Sequence, residues 1–259
     1  MTQINISDAL TKPLDVAQRN PGIIVPALLP AAASIIFVAI MIAMLGIPMG
    51  ILGGMGPGMG PTGAMSPINM FNFGTFVVFF LVFFFVMVIL NLIAEGAIVS
   101  MAYSELKGTR MNYMDGLNDA VAKIIPLIIA SVIIAIGVTV GLILLVIPGL
   151  IFALLVIFAI QEVMIANKNG IGAVSNSIDI VKNNFGNVLV YAIVLLIVVA
   201  IISMALSIIP VVGTAIASLV LVPYASISIT YAYMQIQGEE KEGEGGEREE
   251  GWGTTSTSS

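Results

Sequence analysis

Six long apolar blocks limit what this chain can fold into. They run over Ile23–Leu45, Phe73–Ile93, Ile124–Ile147, Leu150–Ile165, Val188–Ile209 and Val211–Met234. A helix needs about 20 residues to cross a bilayer, and only the fourth block is short of that. Backbone polar groups in lipid must be satisfied within the segment, so helices are the expected elements. The dyad alternation of a membrane barrel is absent. Only 9% of the 259 residues are charged and 59% are hydrophobic, whereas a soluble domain is about one quarter charged. The expected fold is an all-α polytopic membrane bundle of six transmembrane helices, with the third interrupted early by Pro126.

Residues 1–20 carry Asp8, Lys12, Asp15 and Arg19 and no apolar core before Pro21. A cleavable leader is therefore not expected, and the first span acts as its own insertion signal. The chain has no Cys and no His, which removes disulfides, thiolate sites, cysteine nucleophiles and serine–histidine triads. No phosphate-binding loop, dinucleotide fingerprint or metal-hydrolase motif occurs. Enzymatic activity, cofactors and a metal site are not expected. From Glu239 onward seven Glu stand against Lys241 and Arg248. This low-complexity tail, 239–259, is expected to be disordered, with residues 1–238 forming the membrane domain. A near-neutral body with an acidic tail argues against nucleic acid as a partner.

The positive charges orient the bundle. Lys12 and Arg19 precede the first span, and Lys107, Arg110 and Lys123 lie between spans two and three. Lys168 and Lys182 lie between spans four and five, and Lys241 and Arg248 follow span six. The other three connections hold none. Positive charge stays cytoplasmic, which places both termini inside in a cell membrane. The outer connections are then the Gly/Met-rich loop 50–70, a turn at Pro148–Gly149 and a turn at Pro210–Gly213. Met49, Met55, Met59, Met65 and Met70 in and beside that loop would suit Cu(I). No Cys or His accompanies them, and Gly/Pro content explains the loop without metal.

Before spans one, three and five the chain turns polar with helical periodicity. Over 170–185 the apolar positions are Ile171, Val174, Ile178, Val181 and Phe185, with Asn176, Asp179, Lys182 and Asn183 opposite. Over 113–124 the stripe is Tyr113, Leu117, Val121 and Ile124. Over 6–17 it is Ile6, Leu10, Leu14 and Ala17, weakened by Pro13. Three cytoplasmic amphipathic helices in the headgroup plane are expected. The spans before these connections end alike, in SMAYSELKG (100–108), VMIANKNG (163–170) and YAYMQIQG (231–238). Gly at each end suits a helix C-terminus. The pattern reads as three repeats of interfacial helix, span, outer turn and span.

Few residues offer chemistry. Glu162 lies about 18 Å along span four at 1.5 Å per residue, and an acid at that depth is a functional candidate. Gln161 stands beside it. The alternative is an interfacial acid near Lys168. Glu95 falls 22 residues after Phe73 and is expected at the inner boundary. Arg19, Lys123 and Lys182 recur just before spans one, three and five, where they would meet anionic lipid headgroups.

The second half also resembles a known family. Pro148–Gly149, Glu162 followed by Gly170, then Ser177, Val181–Lys182 and Asn184 are similar to the membrane domain fused to some glycerophosphoryl diester phosphodiesterases. They are also similar to related stand-alone six-helix prokaryotic membrane proteins. Gly96 and the Gly108-to-Asp115 spacing fit as well, and the likeness covers most of residues 8–237. The family often has a basic residue where this chain has Asn176. No phosphodiesterase catalytic domain is expected in these residues, so the resemblance implies a fold and not a reaction. The leading expectation is a non-enzymatic membrane module that carries, or assists movement of, a small or lipidic solute. The competing one is a lipid-organising or partner-recruiting scaffold. Membrane lipids are the expected partners, with a protein partner or a second copy beside them.

Overall fold

The computed structural model describes residues 4–44, 73–206 and 212–239. The Gly/Met loop, Pro210 and Val211 of the expected Pro210–Gly213 turn, and the tail beyond Glu239 lie outside the described residues. The chain is all-α, with no strand among those residues. Its helices are α1 (Ile6–Arg19), α2 (Val25–Met44, after a short 3-10 turn), α3 (Phe73–Leu106), α4 (Tyr113–Ala122) and α5 (Ile124–Leu144). They continue with α6 (Val146–Leu155), α7 (Ala159–Met164), α8 (Gly170–Asn183), α9 (Phe185–Leu206) and α10 (Val212–Gln237). Six stretches are long and apolar enough to cross a membrane: Pro21–Ile40, Val77–Leu106, Ile124–Leu144, Val146–Met164, Phe185–Leu206 and Leu219–Gln237.

Two compact units divide the chain. One, Leu29–Asn91, holds parts of α2 and α3. There Phe37 stacks on Phe83 at 3.7 Å and on Phe79 at 5.9 Å between ring centroids. The side chains of Val78, Phe80, Phe84 and Phe85 are exposed. The other unit, Met1–Leu28 with Leu92–Ser259, carries all the short helices and the buried core.

Within that unit each short helix leans on a long one through small residues. Helix α1 buries Ala9, Pro13 and Val16 and lies against α10. Helix α4 buries Gly116 and Ala120. An ideal Cβ on Gly116 would stand 2.7 Å from Met101 Cγ of α3. Helix α8 buries Gly170, Ala173, Val174, Ser177 and Val181 against α5, α6 and α7. The expected stripes divide between packing and exposure. Val174 and Val181 are buried, and Ile6, Leu10, Leu117 and Ile178 pack on the core, while Leu14, Tyr113, Val121, Ile171 and Phe185 are exposed.

An Asn opens each short helix. Asn5 Oδ1 accepts from Asp8 N at 3.4 Å, and Asn169 Oδ1 from Gly172 N at 2.7 Å, so orphan N–H groups are satisfied. Asn112 holds the same position before α4 without a side-chain bond. Pro13 was expected to weaken α1, yet the helix runs through it. Proline lacks the N–H that would bond Ala9 O. Ser228 Oγ of α10 donates to that carbonyl at 2.7 Å, and Tyr191 Oη closes on Ser228 Oγ at 2.8 Å. Tyr224 Oη donates to the next carbonyl, Leu10 O, at 3.0 Å. Ser228→Ala should therefore cost about 1–3 kcal/mol by stranding a buried carbonyl. Pro13→Ala in the same chain should recover much of it by restoring the helical N–H. Denaturant unfolding of the single and double variants in detergent checks this coupling.

Other boundaries also move. Helix α3 continues past Ile93 to Leu106, because Ala94, Ala97, Ile98, Val99, Met101 and Ala102 are buried. The turn expected at Pro148–Gly149 is made by Leu145, with extended φ −163°. Pro148 sits in the first turn of α6, where its missing N–H costs nothing. Pro126 likewise sits in the first turn of α5 and does not interrupt it. Gly149 brings α6 onto α5: a Cβ on Gly141 would stand 2.7 Å from Gly149 Cα. The third parallel helix end also departs from expectation. Gly108 and Gly238 take φ +78° at the ends of α3 and α10, but after α7 the left-handed residue is Asn167, φ 54°. Gly170 instead starts α8.

Candidate functional site

Span four is broken between α6 and α7, and the break places Glu162. Around Val156–Phe158 the backbone bonds tighten to i−3, as in Ile157 N to Leu154 O and Ala159 N to Val156 O. Two polar groups are left over, and Ser177 of α8 serves both. Its Oγ donates to Leu155 O at 2.9 Å and accepts from Phe158 N at 3.2 Å.

One turn further, Glu162 is buried with no exposed surface. Both carboxylate oxygens are filled from other helices. Asn176 Nδ2 of α8 donates to Oε2 at 2.6 Å, and Tyr233 Oη of α10 donates to Oε1 at 2.9 Å. Gln237 Nε2 donates to Tyr233 Oη at 3.2 Å, which leaves the hydroxyl proton aimed at Glu162. A buried carboxylate is costly unless hydrogen-bonded, and here two other helices, α8 and α10, supply and orient its donors. Asn176, read as a water-facing residue of α8, faces the bundle instead. Neighbouring Gln161 is also buried, and its Oε1 has no hydrogen-bond partner among the described residues. Consecutive helical side chains point about 100° apart, so Gln161 and Glu162 face different neighbours.

Glu95 lies within α3 and is half-buried, with eleven residues of helix beyond it. Lys123 has a structural partner set. Its Nζ donates to Met164 O at 2.6 Å at the end of α7 and pairs with Asp119 at 3.0 Å. A cation at a helix C-terminus is favourable. Ser100 Oγ of α3 bonds the same Asp119. Arg19 and Lys182 are exposed. The structure therefore brings Glu162 together with Asn176 and Tyr233, and it gathers neither Glu95 nor the three bases around that acid.

A second polar group joins the ends of α3 and α10. Lys107 Nζ pairs with Glu239 Oε2 at 3.0 Å, and Tyr103 Oη donates to the same oxygen at 2.8 Å. Lys107 Nζ also lies 4.8 Å from the Tyr103 ring centroid. The Tyr103 hydroxyl first, and the Glu239 carboxylate after it, hold the Lys107 amine above its ordinary pKa. Glu239, the first residue of the expected disordered tail, is thus held at the end of α10. Residues 103 and 239 are too distant in sequence for any spacing rule to join them.

The architecture defines the class: all-α among the described residues, with six helices there fit to cross a membrane. Comparison with family models, curated proteins and solved structures finds no match.

Proposed function

We propose that the protein is a non-enzymatic multi-pass membrane scaffold whose short helices α1, α4 and α8 lie along the inner leaflet and organise lipid or recruit a partner there. The observation that carries this reading is the filling of Glu162. Its two oxygens are occupied by Asn176 and Tyr233, so the acid braces α7, α8 and α10 and offers no open face to a solute. The exposed apolar side chains Leu14, Tyr113, Met114, Val121 and Ile171 lie on helices too short to cross a bilayer. Exposed Arg19 and Lys182 stand on the same elements. Apolar residues beside bases suit the boundary of an anionic leaflet. The distribution of Lys and Arg supports cytoplasmic termini. The recurrence of a short helix leaning on longer ones, α1 on α10, α4 on α3 and α8 on α5 to α7, supports a threefold repeat. The likeness to the phosphodiesterase-linked membrane domain adds only an expectation of fold.

A second reading, a carrier of a small or lipidic solute, is favoured by one observation. The buried Oε1 of Gln161 beside the break in span four, without a partner among the described residues, is an acceptor that a ligand would satisfy. Native mass spectrometry of wild type and Glu162→Gln, extracted gently from membranes, separates the two. The scaffold reading expects bulk lipid, enriched in anionic species and unchanged by the substitution. A discrete small molecule that leaves with the substitution would make the protein a carrier.

A further inference from the structure

Two helix ends meet at Tyr103, Lys107 and Glu239, and the contact has the form of an oxyanion site. The Lys107 ammonium and the Tyr103 hydroxyl both point at one oxygen, Glu239 Oε2, at 3.0 Å and 2.8 Å. The carboxylate does not face bare helix carbonyls. Gly108 N bonds Glu105 O and Thr109 N bonds Ser104 O at the end of α3. Gly238 N bonds Gln235 O and Glu239 N bonds Met234 O at the end of α10. Those paired bonds close each helix around a left-handed glycine. The negative ends of both helices are thereby muted, and Lys107 sits where a cation is favoured.

The site is open to its surroundings. The side chains of Lys107 and Glu239 are 35% and 30% exposed. Tyr103 is in the last turn of the stretch Val77–Leu106 that is fit to cross the membrane, and Lys107 is the residue after it. A Tyr–Lys pair at that depth has its ring stem in the apolar boundary and its polar tips among headgroups. Arg110 lies three residues further along the same connection and is exposed.

We infer that Lys107 and Tyr103 form an oxyanion site that the chain fills with its own Glu239, and that the phosphate of an anionic phospholipid, one with no ammonium of its own to pair it, takes this place from the adjoining leaflet when the carboxylate is withdrawn. The inference rests on the reading that this end of the bundle faces a leaflet. A phosphate oxygen offers the acceptor that Glu239 Oε2 now provides, and Lys binds phosphate as a point charge. Glu239 is then an intramolecular competitor, held close by its place two residues after the end of α10.

The experiment uses the full chain in phosphatidylcholine nanodiscs doped with phosphatidylglycerol, with bound lipid counted by native mass spectrometry. E239Q and E239A should each raise phosphatidylglycerol occupancy, up to about fivefold for an exposed charge pair. K107Q combined with E239Q should abolish the gain. Both changes at Glu239 are at the surface, and agreement between them excludes an effect peculiar to one side chain. Unchanged occupancy in E239Q and E239A, or a gain that survives loss of Lys107, overturns the site. Added inorganic phosphate separates the two sources of the anion. If it binds E239Q while phosphatidylglycerol and phosphatidylcholine are held equally, the site stands, but the lipid assignment and the leaflet reading fail.

Discussion

Replacing Asn176 with Leu, or Tyr233 with Phe, should destabilise the protein by about 2–3 kcal/mol each, the worth of a hydrogen bond to a charged group plus the cost of stranding its partner. Each change leaves one oxygen of a carboxylate with no exposed surface lacking its donor. Asn176 and Tyr233 come from different helices, so water does not replace either without opening the packing. Glu162→Gln should stay within about 1 kcal/mol of wild type, because Asn176 can turn its amide to present an oxygen. The double change of Glu162 and Asn176 to Leu should recover part of the loss, since removing both polar partners is cheaper than removing one. Denaturant midpoints in mild detergent measure all of these. An Asn176→Leu protein that unfolds at the wild-type midpoint would show that Glu162 reaches solvent. The tolerance of Glu162→Gln also makes it usable for the lipid and ligand comparison proposed above.

Gly170→Val should be at least as damaging, at about 3 kcal/mol, the upper part of the usual range for overpacking. An ideal Cβ on Gly170 would stand 2.6 Å from Pro126 O, 2.6 Å from Ile129 Cβ and 2.7 Å from Ala130 N. Two of these atoms are backbone of α5, so no rotamer change relieves the clash. Helix α8 would have to lift from α5, and with it Ser177 from the break in span four and Asn176 from Glu162. Gly186→Ala is the matched control. Nothing lies within 4 Å of its added Cβ, and an alanine inside a helix is favoured over glycine by about 0.5–1 kcal/mol. Thermal unfolding should move down for Gly170→Val and slightly up for Gly186→Ala. Equal midpoints would mean that α8 does not seat on α5 at Gly170.

The two positions show where reading along the chain reaches its limit. Gly170 was read as the end of the element before it, because a polar run into glycine is a helix stop. It is instead a contact point for Pro126, 44 residues earlier, and Asn167 makes the stop. The amphipathic stripes are split between packed and exposed positions for a related reason, with Val174 and Val181 buried. In water, large apolar side chains mark the side that faces the core. In a membrane they are equally at home against lipid, so their period no longer tells inside from outside. Leu14 and Ile171 are exposed while Ala9, Pro13, Ala173 and Ser177 are buried.

The all-helical class and the six apolar spans are legible along the chain, because a long apolar run satisfies its backbone in lipid as a helix. Glu162 is legible too, since an acid inside such a run is conspicuous. Which groups hold that acid is set by packing. Asn176 lies 14 residues away and Tyr233 lies 71 away, and no local rule links them. The same holds for the carbonyl of Ala9 freed by Pro13 and bonded by Ser228, 219 residues distant. A hydrogen bond needs its two groups within about 3 Å, and helix packing alone sets which distant groups come that close.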